Sequence, residues 1–266
     1  MKKLLILAGW LLPAFCCMAQ QKEGKVVYER ITKMQIQIND QEQLSHNLPQ
    51  THTDRFELLF ANNQTLWHIA DDQPPEDENG GGGGVQIRMI GGGTDDISFC
   101  DLSKGTSVDQ RDMFEKKFII SDSLHKLNWK LTGETKQILN HVCQKATAQR
   151  IGVRTMMNID NGKMERKEVS DTSMIVAWFT PDIPVAAGPS EFQGQLPGLI
   201  LELDVNNGRQ LYKAVELSAK ADLAAIKEPK SGKRVTRDEF RKETQKMMEE
   251  MQKNNQGGNR TIRISN

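Results

Sequence analysis

The histidines are spread thinly. His46, His52, His68, His125 and His141 fall in five separate stretches, and no His-Glu-x-x-His or Gly-x-Ser-x-Gly pattern gathers them. A hydrolase would need a nucleophile beside a base and a third group to orient that base, and the chain offers no such run. His141 and Cys143 stand two apart in "HVCQKATAQRI", so on a strand they share a face and would supply two donors of a four-ligand metal site. No third donor stands nearby, and an exposed histidine beside a structural cysteine is the simpler account. Glu191, Glu202 and Asp204 could serve acid–base chemistry, yet Glu202 and Asp204 alternate with leucines as solvent-facing strand positions do. Met247, Met248 and Met251 could ligate a soft copper ion; their spacing is also that of a helix face packed on a sheet. Trp129 and Trp178 are candidate contacts for an apolar ligand, and a β core ordinarily holds such residues too. None of these patterns calls for a cofactor.

The setting for any chemistry is bounded by the amino terminus. Residues 1–19, "MKKLLILAGWLLPAFCCMA", join Lys2 and Lys3 to an apolar run from Leu4 to Leu12 and then to small residues, the pattern of a secretory signal peptide. That run is far short of the roughly 20 residues a membrane-spanning helix needs, so the mature chain is not expected to be transmembrane. Phe15 and Cys16 precede the two cysteines Cys16 and Cys17 where a lipidation box requires a small residue. Cleavage near Ala19 then discards both, and no lipid anchor is expected. Cys100 and Cys143 remain as the thiols of the mature chain. In an oxidising compartment they read most simply as one disulfide, with a metal or redox pair as the rival. Loss of Lys2 and Lys3 leaves 33 basic against 35 acidic side chains, net −2, which gives nucleic acid nothing to bind. Aromatic residues are only 6% of the chain, too few for a carbohydrate-stacking platform.

The elements that must position these residues are strands. In "KVVYERITKMQIQI", Val27 and Ile31, then Met34, Ile36 and Ile38 after a change of phase, show the period of two. Three hairpins are signalled: Asn62-Asn63 after Phe56, Leu58 and Phe60; Asp160-Asn161-Gly162; and Asn206-Asn207-Gly208. In the last, Leu201, Leu203 and Val205 share a face that Leu211, Val215 and Leu217 can answer. "FIISDS", "LNWKLTG", "HVCQKATAQRI" and "TSMIVAWFT" complete about ten candidate strands without alternating helices, which excludes a parallel α/β fold. Residues 71–96 are acidic and glycine-rich, a composition expected to form a flexible insertion, and no Gly-Lys-Ser/Thr follows to make a phosphate loop. In "VTRDEFRKETQKMMEEMQKN" the period changes: Thr236 and Glu239 form a capping box, and Phe240, Thr244, Met247 and Met251 make the apolar stripe of a surface helix of about four turns.

Between Pro181 and Leu199 the chain carries four prolines and three glycines. Leu196-Pro197-Gly198-Leu199 fits a type II turn with Gly198 at positive φ, so the segment reads as a stiff connection that delivers "LILELDV" into the sheet. The run "AWFTPDIPVAAGPSEFQGQLPGLILEL" strongly resembles the GLPGLI family of Gram-negative envelope proteins, and "NWKLTGETKQILNHVCQKATA" and "KSGKRVTRDEF" are similar to its flanking segments. The resemblance covers most of the chain from Lys25 to about Met251. The motif falls on Gly194, Gln195, Leu196, Pro197, Gly198, Leu199 and Ile200, with Gln195 where the family's first glycine would stand. The resemblance implies an envelope protein and carries no activity with it.

The expectation is mainly β: a curved antiparallel sheet or open half-barrel with a carboxyl-terminal amphipathic helix. A single domain spans 20–253, followed by a polar tail at 254–266. Its expected role is non-catalytic binding in the periplasm or at the outer-membrane surface, with an apolar ligand or another envelope protein as partner. Lipid or lipoprotein handling is the first refinement, by analogy with curved sheets that carry ligands on a concave face. A metal-handling accessory of outer-membrane transport and a hydrolase stand as alternatives.

Overall fold

The computed structural model describes residues 21–33, 51–73, 96–113, 116–160 and 163–255. The expected signal peptide at 1–19, Met34 to Ile38, His46, most of the expected insertion, Asn161-Gly162 and the residues beyond Asn255 lie outside them. Among the described residues twelve strands form the fold: β1 (Gly24–Lys33), β2 (Thr51–Ala61), β3 (Gln64–Ile69), β4 (Ile97–Asp101), β5 (Thr106–Met113), β6 (Lys116–Ser123), β7 (Lys130–Ile138), β8 (His141–Asp160), β9 (Lys163–Thr180), β10 (Leu199–Val205), β11 (Gln210–Ser218) and β12 (Lys233–Val235). Helix α1 (Arg237–Asn255) closes the described chain. It runs two residues past the expected start of the tail and makes about five turns.

One sheet holds every strand, in the order β12-β6-β5-β4-β3-β2-β1-β11-β10-β9-β8-β7. It does not close into a barrel. Neighbours are antiparallel except β12, which pairs with β6 in parallel and makes the sheet mixed. The local turn chemistry accounts for the hairpins. Asn62 and Asn63 take φ of 50° and 59° between β2 and β3, and Asn206, Asn207 and Gly208 take 59°, 54° and 78° between β10 and β11, the left-handed values that asparagine and glycine tolerate. The Asp204 carboxylate accepts from the Gly208 N–H at 2.5 Å.

Continuous apolar runs are explained by burial on both faces. On the inner face, Tyr28, Leu58, Phe60, Trp67, Ile175, Ala177, Leu203 and Tyr212 belong to one core. On the outer face, Leu59, Leu66, Phe99, Val108 and Ile119 form a second cluster, capped by Ile226. Helix α1 covers the β6–β12 end: Phe240 and Met247 pack with Phe118, Ile120 and Val235, and Phe118 meets Phe240 edge-on at 5.3 Å. Its capping box is formed, with the Glu239 carboxylate accepting from the Thr236 N–H at 2.8 Å and the Thr236 hydroxyl accepting from the Glu239 N–H at 3.2 Å.

The expected phase of β11 needs correction. Tyr212 and Ala214 face the core, whereas Val215 is 39% exposed. The pairing with β1 jumps from Tyr28↔Ala214 to Val27↔Glu216, so Val215 is the extra residue of a β-bulge. A bulge reverses the alternation beyond it, which returns Leu217 to the core side.

Candidate functional site

The segment between β9 and β10 is largely buried and tied down by its own hydrogen bonds. β9 ends at Thr180, where Pro181 cannot continue a ladder. The chain then folds across the inner face of the sheet. Ile183, Val185, Ala187, Phe192 and Leu196 are buried among Tyr28, Trp67, Leu203 and Tyr212. Its backbone is paired internally: the N–H groups of Gly194, Leu199 and Ile200 donate to the carbonyls of Ala186 at 2.7 Å, Ile183 at 3.1 Å and Ala187 at 2.9 Å. Such pairing is what allows a loop to be buried at all.

The expected type II turn does not form. Leu199 donates to Ile183 and not back to Leu196, and Gly198 lies outside the left-handed region. Gly198 is required for a different reason: a Cβ there would stand 2.3 Å from the Thr180 carbonyl oxygen and 3.1 Å from the Phe179 ring. The positive φ belongs to Gly194, at 71°, where a Cβ would also meet Leu124 at 2.8 Å.

Polar side chains lock the segment in place. Gln193, fully buried, receives a hydrogen bond from the Thr65 hydroxyl and donates to the Ser190 carbonyl at 3.3 Å. Gln195 uses both ends of its amide: Oε1 accepts from the Leu127 N–H at 3.0 Å and the Trp129 indole N–H at 3.2 Å, and Nε2 donates to the His125 carbonyl at 2.7 Å. It therefore clamps the β6–β7 connection over the motif. The Tyr28 hydroxyl donates to the Ile200 carbonyl at 2.5 Å, beside the bulge that takes Leu201 out of register with β9. Burial holds the Tyr28 hydroxyl well above its usual range, so it stays a donor.

The sequence candidates are not brought together. The four described histidines each meet a different carboxylate: His52 with Asp54 at 2.8 Å, His68 with Glu57 at 3.9 Å, His125 with Asp122 at 3.5 Å and His141 with Asp182 at 3.6 Å. The Cys143 thiol is buried and donates to the His141 carbonyl at 3.7 Å, so the two do not present a joint ligand pair. No group of three metal-ligating residues converges among the described residues. Trp129 is held by Gln195, while Trp178 lies under the Lys136 ammonium at 4.4 Å. Lys136 in turn pairs with Glu202 at 2.7 Å, which puts Glu202 on the outer face as its alternation with leucine required. Glu191 pairs with Arg150 at 2.9 Å. Two shallow clefts, of about 170 and 360 Å³, lie elsewhere, and no residue of 181–198 lines either.

The expected disulfide is absent: Cys100 and Cys143 are both free and buried. The sheet order accounts for this, because β4 and β8 stand seven places apart in it. Burial raises the Cys100 thiol to about 12 and the Cys143 thiol to about 11. Both thiols stay protonated at neutral pH, and the thiolate is the reactive and metal-binding form.

Sequence reasoning named Gln195 only as a departure from a motif. A polar residue between Gly194 and Leu196, within a stretch whose neighbours are buried, was the one available sign that it works as a clamp.

The family model described as a protein of unknown function (Porph_ging) matches residues 129–202, which run from Trp129 through the clamp to Glu202. No curated protein matches the chain. Among solved structures, PNGF-II in the P21 and C2 space groups is similar, with 16% identity over 83% of this chain and TM-scores of 0.48 and 0.49. The chain spans about a third of those proteins, 33% and 32% of their lengths.

Three outcomes are expected. Gly198→Ala should lower the unfolding free energy by about 1–3 kcal/mol, as overpacking does. Gly133→Ala, at a φ of 80° in open space, should cost about 1 kcal/mol for the backbone alone. Urea denaturation distinguishes them, and equal costs would remove the close-approach argument. Gln195→Ala should cost about 0.5–1.5 kcal/mol, the net worth of hydrogen bonds between half-buried groups, and should shift Trp129 fluorescence; an unchanged spectrum would mean no clamp. Both thiols should resist Ellman's reagent in the native protein and react after unfolding. Their folded pKa values are raised, so the stability they contribute is complete below about 8.5 and is lost as pH rises through about 11 and 12. The urea midpoint should fall less steeply above that lower pH in the Cys100→Ala, Cys143→Ala double variant.

Proposed function

We propose that this chain is an exported, non-catalytic binding protein of the GLPGLI family, acting in the periplasm or at the outer-membrane surface through contact between folded surfaces. The observation that carries this reading is the filled inner face. Residues 183–196 occupy the surface on which an apolar ligand would lie, and Gln193 and Gln195 tie them there. A lipid carrier built on the same sheet would need that surface empty, so recognition is assigned to the outside of the molecule and to another protein. The separated histidines and protonated thiols favour this over a hydrolase or a metal-handling accessory. The envelope location draws on residues 1–19 and on the motif resemblance.

Native mass spectrometry of the mature protein, purified from its own periplasm, tests the reading. The expected result is the bare polypeptide mass with both thiols intact. A copurifying mass of several hundred daltons would establish a carrier, and a metal mass would establish the accessory reading; either would overturn the proposal.

A further inference from the structure

Between β11 and β12 the chain crosses the outer face of the sheet. β11 ends at Ser218, opposite Lys25 of β1. From Lys25 the register runs straight across through Leu59, Leu66, Phe99 and Val108 to Ser121 of β6. β12 then begins at Lys233, opposite Phe118. Residues 219–232 therefore pass over the row that forms the outer apolar cluster, and Ile226 is buried in that cluster at 9% exposure.

The passage is held lightly. Residues 222–225 and 227–228, on either side of Ile226, are all exposed, and Ala221 packs on the cluster only in part. Its hydrogen bonds are local. The Lys220 N–H donates to the Ser218 hydroxyl at 3.1 Å and the Ala224 N–H to the Asp222 carboxylate at 2.9 Å. The Ala225 and Ile226 N–H groups donate to the Asp222 and Leu223 carbonyls at 3.1 and 3.3 Å. Among the described residues no hydrogen bond from 219–231 reaches β1 to β6; an ion pair of Glu228 with Arg234 at 3.6 Å leads on to β12. The two ends, by contrast, are fixed. Ser218 is paired in β11, and Gly232 runs so close to β6 that a Cβ would stand 2.8 Å from the Lys117 carbonyl oxygen.

Chain length lets the middle move while the ends stay. From β11 to β12 there are seven inter-strand steps, roughly 34 Å at about 4.8 Å each. The fifteen residues from Ser218 to Lys233 reach up to about 50 Å when extended. The surplus allows Ile226 to rise off the row with β11 and β12 still paired. Two clefts flank the same row. The one of about 170 Å³ is lined by Gln64, Asp101 and Thr106, to one side of Leu66, Phe99 and Val108, and by Ile226 itself. The one of about 360 Å³ is lined by His68, Ile97 and Gln110, to the other side.

We infer that residues 219–231 are a latch on the outer face. Ile226 leaves its seat while the sheet stays folded, and the two clefts become one groove floored by Leu66, Phe99 and Val108. A segment pinned by one apolar side chain opens at far less cost than global unfolding. The latch works whatever partner the outer surface recognises, so it stands apart from the reading above.

Thiol labelling of the full mature chain is the test. Val108→Cys puts a reporter in the row beneath Ile226, and the buried Cys100 and Cys143 serve as references for global unfolding. With iodoacetamide and peptide-resolved mass spectrometry, position 108 should label about tenfold faster than either reference or more, at a rate that barely rises with urea below the unfolding midpoint. Adding Ile226→Ala should speed labelling at 108 about tenfold further, with circular dichroism unchanged and no matching acceleration at the references. Leu66→Cys, in the same row, gives the same readout should Val108→Cys fail to fold. Labelling in the row that keeps pace with Cys100 and Cys143 at every urea concentration would overturn the inference, as would indifference to Ile226→Ala. Labelling as fast as in the unfolded chain without urea would overturn it too, because the row would then be uncovered.

Discussion

An open sheet of twelve strands cannot bury its inner face by closing on itself, so something else must lie against that face. Here it is the connection between β9 and β10. The tightest contact in that arrangement is the passage of Gly198 against the Thr180 carbonyl, where a Cβ would stand at 2.3 Å. It sets how closely the incoming strand returns to the outgoing one, and with that the depth at which Ile183, Phe192 and Leu196 reach the core. The polar groups such a passage drags inside are answered in turn: Gln193 by Thr65, Ile200 by Tyr28, and Gln195 by the chain just before β7. The family match from 129 to 202 takes in this connection and the strands β7, β8 and β9 before it, while Tyr28, Thr65 and Leu127, which answer its polar groups, lie outside the match.

The two ends of the sheet meet the problem of an unpaired edge differently. At one end β12 is three residues long, and α1 packs over β6 beside it. At the other, β7 presents Lys130 and Lys136, and its pairing with β8 is interrupted between Leu131 and Thr135 with Gly133 at a φ of 80°. Charge and irregularity make β7 a poor template for another strand.

Local chemistry was legible in the sequence wherever it was sufficient. Asn62-Asn63 and Asn206-Asn207-Gly208 specify hairpins because few residues accept left-handed backbone angles, and Thr236 with Glu239 specifies a helix start through two reciprocal hydrogen bonds. What was misread depended on distant partners. Gly198 looks like a turn glycine because Pro197 precedes it, yet its constraint is a carbonyl eighteen residues upstream in the chain. Val215 looked inward by alternation, and only the pairing with β1 shows the bulge. Cys100 and Cys143 resembled a pair by elimination, whereas their separation is a property of strand order that no spacing encodes.

The filled inner face also bounds what the protein can bind there. To seat an apolar ligand on Tyr28, Trp67 and Tyr212, the chain would have to expose Ile183, Val185, Phe192 and Leu196. At about 1.5–3 kcal/mol for each buried side chain, that displacement costs roughly 6–12 kcal/mol before the hydrogen bonds of Gln193 and Gln195 are counted. A micromolar complex has about 8 kcal/mol to draw on. A ligand would therefore need nanomolar intrinsic affinity or better to bind detectably, while a partner at the outer surface meets no such barrier. The same contacts that hold the motif in place thus close the inner face to an apolar ligand.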